Sequence, residues 1–235
     1  MRLNLYISKS GTTSRRKADE LIFNGEIKVN NTIIKEPGTQ IDENKDIIIY
    51  KNKVLKIENF KYFKFNKPTN VVTTLKDPQN RKIITDFFKN EKIRLFPVGR
   101  LDYDSSGLIF MTNDGNFSNK LMHPSQNKNK VYIVDVNKEL STKDINKFKK
   151  GIYIDKKKTS NSNIVFLKKK RHFYTYKVII HEGMNRQIRK MFKFFNINVI
   201  NLKRIEIAGV KLDNLKEGEY KTLTKNEYNR LMEIK

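Results

Sequence analysis

The sequence from Gly99 to Thr112, GRLDYDSSGLIFMT, joins two apolar segments through a polar loop. The apolar segments Leu95–Val98 and Leu108–Thr112 have the composition of buried strands. Asp-Ser-Ser-Gly is favourable turn chemistry, so Asp102 taken alone is more typical of a turn-forming residue than of a reactive one. A loop between core strands is also where reactive side chains are held on a rigid frame. The spacing alone leaves both interpretations of Asp102 open.

Around this stretch, residues 60–235 predict one large domain in which strands outnumber helices. The helices interrupt the strands irregularly, which predicts an α+β fold with a mixed or antiparallel sheet rather than a regular βαβ series. Further strands are predicted at Tyr62–Asn66, Val71–Thr74, Val131–Val136, Ile164–Lys168, Tyr174–His181, Val199–Arg204 and Ile207–Leu212. Helices are predicted at Ile84–Asn90, Asn116–His123, Thr142–Lys150, Asn185–Phe195 and Lys225–Glu233.

Residues 1–55 predict a second, small α+β domain of two helices followed by a short sheet. Ser14 is a favourable N-cap for the second helix, and Gly11 and Gly25 are stop signals. The predicted helices are Arg2–Ser10 and Arg15–Asn24, and the predicted strands are Ile27–Val29, Ile33–Ile34 and Asp46–Tyr50, with a turn at Asn30-Asn31. The charged segment Lys51–Asn59 is predicted to be a linker.

The chain is strongly basic, with 49 Lys and Arg against 25 Asp and Glu and a net charge of +24. This charge predicts a polyanionic partner such as a nucleic acid, although A/T-rich codon usage would also enrich lysine. Arginines in a lysine-rich background indicate sites that need a planar, bidentate cation. Two lysine-rich patches, Lys156–Lys158 and Lys168–Arg171, are predicted to be solvated hairpin ends, with RNA contact as the alternative.

The small domain has a modest charge, with ten Lys or Arg against seven Asp or Glu in residues 1–55. The prediction that the small domain binds RNA therefore rests on the local cluster Arg15-Arg16-Lys17. Cations in the first turn of a helix oppose its dipole, at a cost of roughly 0.3–1 kcal/mol each. Amide N–H groups together with Arg side chains at such a helix start are well suited to phosphate.

Composition excludes several classes of site. The chain has no Cys, which excludes disulfides, zinc-thiolate sites, iron–sulfur clusters and thiol nucleophiles. Its three His residues are too scattered for a His-based metal site. No apolar run approaches the ~18 residues of a membrane span, and the N-terminal residues have no apolar signal core. We expect no thiolate or His-based metal site, no membrane association and a cytoplasmic location.

One set of motifs lies in the small domain: Arg2-Leu3, Ser14-Arg15-Arg16-Lys17-Ala18, Leu21-Ile22, Gly25 and Val29-Asn30. Together they resemble the S-four RNA-binding domain. That family usually has Gly after Val-Asn, where this chain has Asn31, a tolerated turn residue. The resemblance implies that Arg2, Arg15, Arg16 and Lys17 contact RNA.

A second set of motifs follows in order along the large domain: Asn66-Lys67-Pro68, Gly99–Gly107, residues 108–115, Lys120–Pro124, Lys130-Val131-Tyr132 and Glu182–Phe192. These motifs resemble the RsuA/RluB family of rRNA pseudouridine synthases. Asp86–Phe88, Asp102–Asp104 and the run from His181 to Gln187 are most similar to the RluB-like branch, which acts on large-subunit rRNA. Val131 stands where the family often has Thr.

The resemblance implies an isomerase that breaks the bond from ribose to the uracil nitrogen, rotates the base and rejoins it through carbon, with no cofactor or metal. It implies that Asp102 is the essential carboxylate, as a nucleophile or as a base for the ribose 2′ proton. Tyr132 would stack on the flipped uracil and assist the final proton removal, and Arg189 would pair with Asp102. The alternatives are a core-packing strand Tyr and a solvated helix Arg.

The resemblance also implies several RNA-binding residues in the large domain. Ile188 would form an apolar floor under the base, with plain core packing as the alternative. Arg100 would fill the gap left by the extruded nucleotide, or else form a structural pair with Asp104. Lys67, Lys130 and Arg186 would contact phosphates.

The leading hypothesis is site-specific isomerisation of uridine in ribosomal RNA, most simply 23S rRNA. One alternative is a 16S rRNA pseudouridine synthase. Another is a non-catalytic RNA-binding ribosome-assembly factor, which would not need the residues at positions 102, 132 and 189, and a third is an unrelated basic RNA chaperone. The expected partner is ribosomal RNA or a pre-ribosomal particle, bound by a monomer.

Overall fold

A computed structural model describes residues 1–123 and 127–233. Pro124, which ends one of the family motifs, lies outside the described residues, as do the last two residues of the predicted large domain. The described chain forms two compact units. The first contains Met1–Lys61 together with Lys89–Leu95, and the second contains Tyr62–Phe88 together with the described residues from Phe96 onward.

The first unit packs two helices against a small antiparallel sheet. Its core consists of residues from both, including Leu3, Ile22, Ile27 and Ile48. The elements are α1 (Leu3–Lys9), α2 (Arg15–Phe23), β1 (Ile27–Val29), β2 (Thr32–Ile34), β3 (Ile48–Tyr50) and β4 (Lys53–Val54), with the strands in the order β2-β1-β3-β4.

Local signals set the bounds of these elements. The Ser14 side chain accepts a hydrogen bond from the backbone N–H of Lys17 and so caps α2 as predicted. Asn30 and Asn31 both have left-handed backbone angles, with φ of 49° and 67°. These angles fit the tight hairpin turn predicted between β1 and β2, because Asn tolerates that region better than most residues.

The predicted linker at Lys51–Asn59 is wrong. Lys53 and Val54 pair with β3, and the Leu55 N–H donates to the Ile48 carbonyl at 2.8 Å. The Glu58 N–H donates to the Lys9 carbonyl at 3.1 Å. The lysine side chains of this segment are exposed, but its backbone groups form hydrogen bonds with the rest of the first unit. A charge pattern does not reveal such backbone pairing.

The second unit is built on one large sheet with helices along it. Its helices are α3 (Gly115–Met122), α4 (Thr142–Lys150), α5 (Gln187–Phe194) and α6 (Lys225–Met232), and a 3₁₀ helix spans Ile84–Phe88. Its strands are β5 (Tyr62–Lys67), β6 (Phe96–Val98), β7 (Ser106–Thr112), β8 (Lys130–Val136), β9 (Tyr153–Ile154), β10 (Lys157–Lys158), β11 (Asn163–Lys170), β12 (Phe173–Ile180), β13 (Val199–Ile207), β14 (Val210–Lys211) and β15 (Tyr220–Thr222).

The sheet is mixed, which confirms the predicted α+β class. Within the described residues its strands follow the order β11-β12-β8-β13-β7-β5-β15, while β14 pairs with β13 and β6 pairs with β7. The β13–β7 pair is parallel and the other pairs are antiparallel. All seven residues of β7 are buried, and Leu108 and Phe110 pack with Phe117 and Leu231 in the core. Along residues 1–123 and 127–233 no helix has the length and apolar character needed to cross a bilayer.

Four predictions for the second unit need correction. Val71–Thr74 is not a strand and contributes only an isolated bridge between Val72 and Ile83. The predicted helix at Ile84–Asn90 is the shorter 3₁₀ helix, and the two predicted strands from Val199 to Leu212 are one long strand followed by a tight turn into β14. The strands β9, β10 and β15 have two or three residues each and are too short to be predicted from a periodicity.

Candidate active site

A cleft of about 700 Å³ opens in the second unit, and most of the predicted site residues of that unit line it. Its wall includes Arg100, Asp102, Lys130, Tyr132, Arg186 and Ile188. The volume is in the range of small-molecule and nucleotide sites. The fold thus brings together residues that are up to 88 positions apart in the sequence.

The loop that carries Asp102 runs from β6 to β7 and is pinned by neighbouring backbone and side chains. The Thr73 hydroxyl donates to the Leu101 carbonyl at 2.7 Å, and the Asn70 N–H donates to the Tyr103 carbonyl at 2.8 Å. The Ser105 N–H closes a turn onto the Asp102 carbonyl at 3.1 Å. Asn70 and Thr73, at the segment for which the sequence predicts a strand, therefore hold this loop in place.

The Asp102 carboxylate itself is half-buried and lines the cleft. No described residue donates a hydrogen bond to its side chain or forms an ion pair with it. A carboxylate held on a fixed loop without a protein partner is available to a ligand in the cleft, which is the arrangement that a nucleophile or general base requires.

Two arginines of the α5 region clamp the same loop at Asp104. Arg186 donates two parallel hydrogen bonds to the Asp104 carboxylate, at 3.0 and 2.8 Å. The Arg189 Nη2 donates to the Asp104 carbonyl at 2.7 Å, and its Nε lies 3.3 Å from the Asp104 carboxylate. The Arg186 hydrogen bonds hold the pKa of Asp104 below its usual range. The clamp fixes the loop two residues beyond Asp102.

This geometry corrects one expectation, for Arg189, and excludes one alternative, for Arg100. Arg189 forms its ion pair with Asp104 and not with Asp102, because α5 brings Arg186 and Arg189 together onto the downstream end of the loop. Arg100 does not pair with Asp104. Its side chain is exposed at the cleft and makes no hydrogen bond or ion pair with any described residue.

Tyr132 lies on β8 directly opposite Arg204 on β13, a residue that lies outside the sequence motifs. Both side chains are buried. The Arg204 Nε donates to the Leu108 carbonyl at 2.7 Å, and its Nη1 lies 3.5 Å from the Tyr132 hydroxyl. Arg204 is an arginine in a lysine-rich chain, the signal that singled out the other candidates, and its side chain is buried although β13 contains other polar residues. Its guanidinium holds the Tyr132 hydroxyl at the cleft wall.

Lys67 corrects a further expectation, because it cannot contact a phosphate. Its side chain is fully buried, and its ammonium group donates to the Pro68 and Val71 carbonyls at 2.8 and 2.9 Å. Burial lowers the pKa of Lys67 to about 8, although the negative charges of Asp102 and Asp104 oppose this shift. Lys67 is therefore a structural cation beneath the Asp102 loop.

The lowered pKa of Lys67 predicts a specific dependence of stability on pH. Below about pH 8 the folded and unfolded states both carry the proton, and the cost of burying the charge is present in full. Between pH 8 and the unfolded pKa of about 10.4 the folded state has lost this proton and the unfolded state has not, so the free energy of unfolding rises with pH, by roughly 3 kcal/mol at most. Denaturant unfolding across this range should show a smaller rise in Lys67→Met than in the parent, because the variant keeps only the contribution of Lys130, whose pKa burial also lowers.

The matched control for this measurement is Lys211→Met, which removes an exposed lysine of the same unit. Its unfolding free energy should follow the pH dependence of the parent. Parallel curves for the parent and Lys67→Met would contradict the assignment of the rise to Lys67.

The other predicted residues differ in their surroundings. Ile188 is buried and lines the cleft. Lys130 lines the cleft, donates to the His181 carbonyl at 3.0 Å and has a pKa that burial lowers. In the first unit, Arg2, Arg15 and Arg16 are exposed without a side-chain partner among the described residues, whereas Lys17 pairs with Glu20. In the described parts of the chain no three His, Asp or Glu side chains are grouped closely enough to hold a metal ion.

Comparisons with known proteins point in one direction. A family model for RNA pseudouridylate synthase matches residues 61–194, and a model for the S4 domain matches residues 1–47. The chain is 41% identical to the ribosomal large subunit pseudouridine synthase B of Bacillus subtilis (strain 168), over 98% of this chain and 95% of that protein. It is 34% identical to the dual-specificity RNA pseudouridine synthase RluF of Escherichia coli (strain K12), over 100% of this chain and 79% of that protein. A crystal structure of a pseudouridylate synthase superposes with a TM-score of 0.69 at 29% identity, covering 98% of this chain and 99% of the other.

Proposed function

This chain belongs to the RNA pseudouridylate synthase family and carries an S4 domain, and from that premise we propose that it isomerises a uridine of ribosomal RNA to pseudouridine. The observation that carries the proposal is Asp102, whose carboxylate faces a nucleotide-sized cleft without a protein partner. The similarity to a large-subunit enzyme over nearly the whole chain favours 23S rRNA as the substrate over 16S rRNA.

In this mechanism Asp102 acts on the uridine after the nucleotide has left its helix. The carboxylate bonds to the sugar or base as a nucleophile, or removes the ribose 2′ proton while it stabilises positive charge on the sugar. In either role the bond from ribose to the uracil nitrogen breaks, the uracil takes the electron pair, and the rotated base rejoins the sugar through carbon as the ring carbon loses its proton. Both roles need an ionised carboxylate in a fixed position. The contacts of Leu101, Tyr103 and Asp104 fix the loop that carries this carboxylate. Arg189 serves this step by positioning the loop through Asp104.

Other cleft residues hold the base. Tyr132 stacks on the uracil and uses its hydroxyl, held near Arg204, in the final removal of the proton from the ring carbon. Stacking on an aromatic ring contributes roughly 1–3 kcal/mol per base. Ile188 supplies an apolar floor, and the exposed Arg100 fills the gap left in the RNA. Lys130 and Arg186 lie at the cleft, where their positive charges attract the phosphates of the RNA backbone.

The alternative of a non-catalytic assembly factor is disfavoured by the intact site. A protein that only binds RNA has no need for an unpaired carboxylate in a cleft beside Tyr132 and Arg204. The monomeric state and the absence of a cofactor and metal stay predictions. The predicted partner is ribosomal RNA or a pre-ribosomal particle.

The experiment that tests the function compares pseudouridines in rRNA from cells with and without the gene. We expect the loss of one or a few sites in large-subunit RNA, restored when purified protein is added to the unmodified RNA. A loss confined to small-subunit RNA would establish the 16S alternative. Unchanged modification of all rRNA would contradict the proposal.

We predict that Asp104→Asn slows isomerisation by roughly 10- to 100-fold, because a 1 Å misplacement of a catalytic group has costs of this order. The substitution removes the charge that Arg186 and Arg189 hold, so the Asp102 loop loses its clamp. Single-turnover rates at saturating RNA measure the effect. Asp213→Asn, which removes an exposed carboxylate paired with Lys64, is the control and should keep the parent rate. Equal rates for Asp104→Asn and the parent would show that the contacts of Arg186 and Arg189 with Asp104 are not needed to position Asp102 for the reaction.

A further prediction concerns the first unit. Changing Arg15 and Arg16 to Ala should weaken RNA binding and lower the magnitude of the slope of log K against log salt by about 1–2, because each phosphate contact contributes nearly one. Lys28→Ala with Lys35→Ala removes the same charge from other exposed positions of the unit and should have a smaller effect. An unchanged slope in the Arg15 and Arg16 variant would exclude this helix start from the RNA footprint.

A further inference from the structure

The stretch from Lys156 to His181 carries charge of one sign. It contains eight Lys and Arg residues and no Asp or Glu, and it is bounded by Asp155 and Glu182. Like charges at this density repel one another in the folded protein, and a compact fold gains nothing from them unless a partner neutralises them. None of the catalytic roles described above uses these cations.

The stretch folds into two hairpins, which we call the basic hairpins: β9–β10 (Tyr153–Lys158) and β11–β12 (Asn163–Ile180). The first lies at the cleft, because Lys157 lines it. Asp155 at its turn is ion-paired with Lys190 of α5, the helix that carries Ile188 and Arg189. The small hairpin is thus anchored beside the site.

The second hairpin starts at the cleft and extends away from it. Ile180, at the end of β12, lines the cleft, and β12 pairs with the Tyr132 strand. From Ile180 to Phe173 the strand covers about 23 Å at the usual rise per residue. The four cations Lys168–Arg171 lie at its far end, are exposed, and make no ion pair within the described residues.

The surface of this hairpin has the composition of a nucleic-acid contact. The strand β11 is an edge of the sheet, and its Val165, Phe166 and Leu167 are 43–47% exposed. The ammonium groups of Lys169 and Lys170 lie over the rings of Tyr174 and Phe173, at 5.4 and 5.1 Å from the ring centres. Cations beside partly exposed aromatic and apolar side chains suit a partner with phosphates and bases.

We propose that the basic hairpins form a second RNA-binding surface, which holds the phosphates of the RNA segment that flanks the uridine in the cleft. The proposal rests on the proposed function and extends it to the part of the substrate outside the reacting nucleotide. It assigns RNA affinity to the catalytic unit itself, in addition to Arg15 and Arg16 of the first unit.

The test compares two variants with the same change in net charge. In one, Lys168, Lys169, Lys170 and Arg171 are changed to Gln. In the control, Lys211, Lys216, Lys221 and Lys225 are changed to Gln; these exposed lysines alternate with Asp213, Glu217 and Glu219 on the same unit. The Kd for a transcribed large-subunit rRNA fragment is measured at several salt concentrations, together with KM and kcat for pseudouridine formation.

We expect the hairpin variant to bind RNA at least about ten-fold more weakly and to lose about 2–4 from the magnitude of the salt slope. The effect should fall on Kd and KM, with kcat at saturating RNA changed much less. The control should keep Kd within about two-fold of the parent. A triple change of Lys156–Lys158 to Gln should raise KM in the same way, because Lys157 lies at the cleft.

Three results would overturn the proposal. Equal losses in both four-residue variants would assign the effect to bulk charge. Unchanged RNA binding with aggregation of the hairpin variant would mean that the cations only protect an exposed sheet edge. Unchanged binding to RNA with lost binding to a pre-ribosomal particle would point to an acidic protein. If the parent binds RNA through the hairpins but forms no pseudouridine, the proposed function fails and the RNA surface stands.

Discussion

Replacing Asp102 by Ala should abolish pseudouridine formation, with a loss on the order of 10⁴-fold or more, while RNA binding stays within about three-fold of the parent. The carboxylate is the group that acts on the sugar or base in either proposed mechanism, and no other acidic side chain of the loop is free to replace it. Asp104 is held by Arg186 and Arg189. Because the Asp102 side chain makes no hydrogen bond with the described residues, its removal leaves no protein group unsatisfied.

The measurement uses purified protein, a transcribed rRNA fragment and single-turnover conditions, with RNA binding determined separately. Asp102→Asn keeps the shape of the side chain and should be as inactive as Asp102→Ala, since it lacks the charge. Asp213→Asn again serves as the control for a carboxylate of the same unit outside the cleft. Isomerisation retained by Asp102→Ala would falsify the assignment of this residue.

Replacing Gly107 by Ala should destabilise the protein by at least about 3 kcal/mol, because this glycine lies where two parallel strands approach closely. A Cβ at Gly107 would overlap the backbone carbonyl oxygen of Arg204 and lie 2.7 Å from its backbone nitrogen. The residue also has a φ of 106°, which side-chain-bearing residues rarely adopt. The β7–β13 pairing must shift to accommodate the methyl group, and this pairing links the strand after the Asp102 loop to the strand that carries Arg204.

Denaturant unfolding of the parent and of Gly107→Ala measures this loss. Gly115→Ala is the matched control, because a Cβ there meets no atom within 4 Å and the residue begins α3. It should change the unfolding free energy by less than about 1 kcal/mol. A common unfolding midpoint for all three proteins would show that β7 and β13 accommodate the methyl group without cost, and would contradict the close approach at Gly107.

Several features of this protein follow from short stretches of sequence. The helix at Thr142–Lys150 has the predicted bounds, because Ser141 caps its start and Gly151 ends it. The hairpin at Asn30-Asn31 follows from two residues that tolerate the left-handed region. The loop with Asp102 lies between two strands as its flanking apolar residues predict. These features depend on residues within a few positions of one another, so local preference is enough to determine them.

The tertiary structure decided which distant groups meet. The sequence motifs contain Arg189, but the docking of α5 on the loop sets its partner as Asp104. The burial of Lys67 likewise depends on the pairing of β5 with β7, in which Lys67 lies opposite Gly107, 40 residues away. The contact of Tyr132 with Arg204 joins residues that are 72 positions apart. Periodicity in the sequence predicts that a side chain is buried, but it does not predict which residues the side chain contacts. Those contacts are set by the packing of elements that are distant in the sequence. The sequence by itself therefore determined the basic character of the protein and pointed to Asp102 as the candidate carboxylate, and only the fold determined which cations hold the loop of Asp102 and which are exposed.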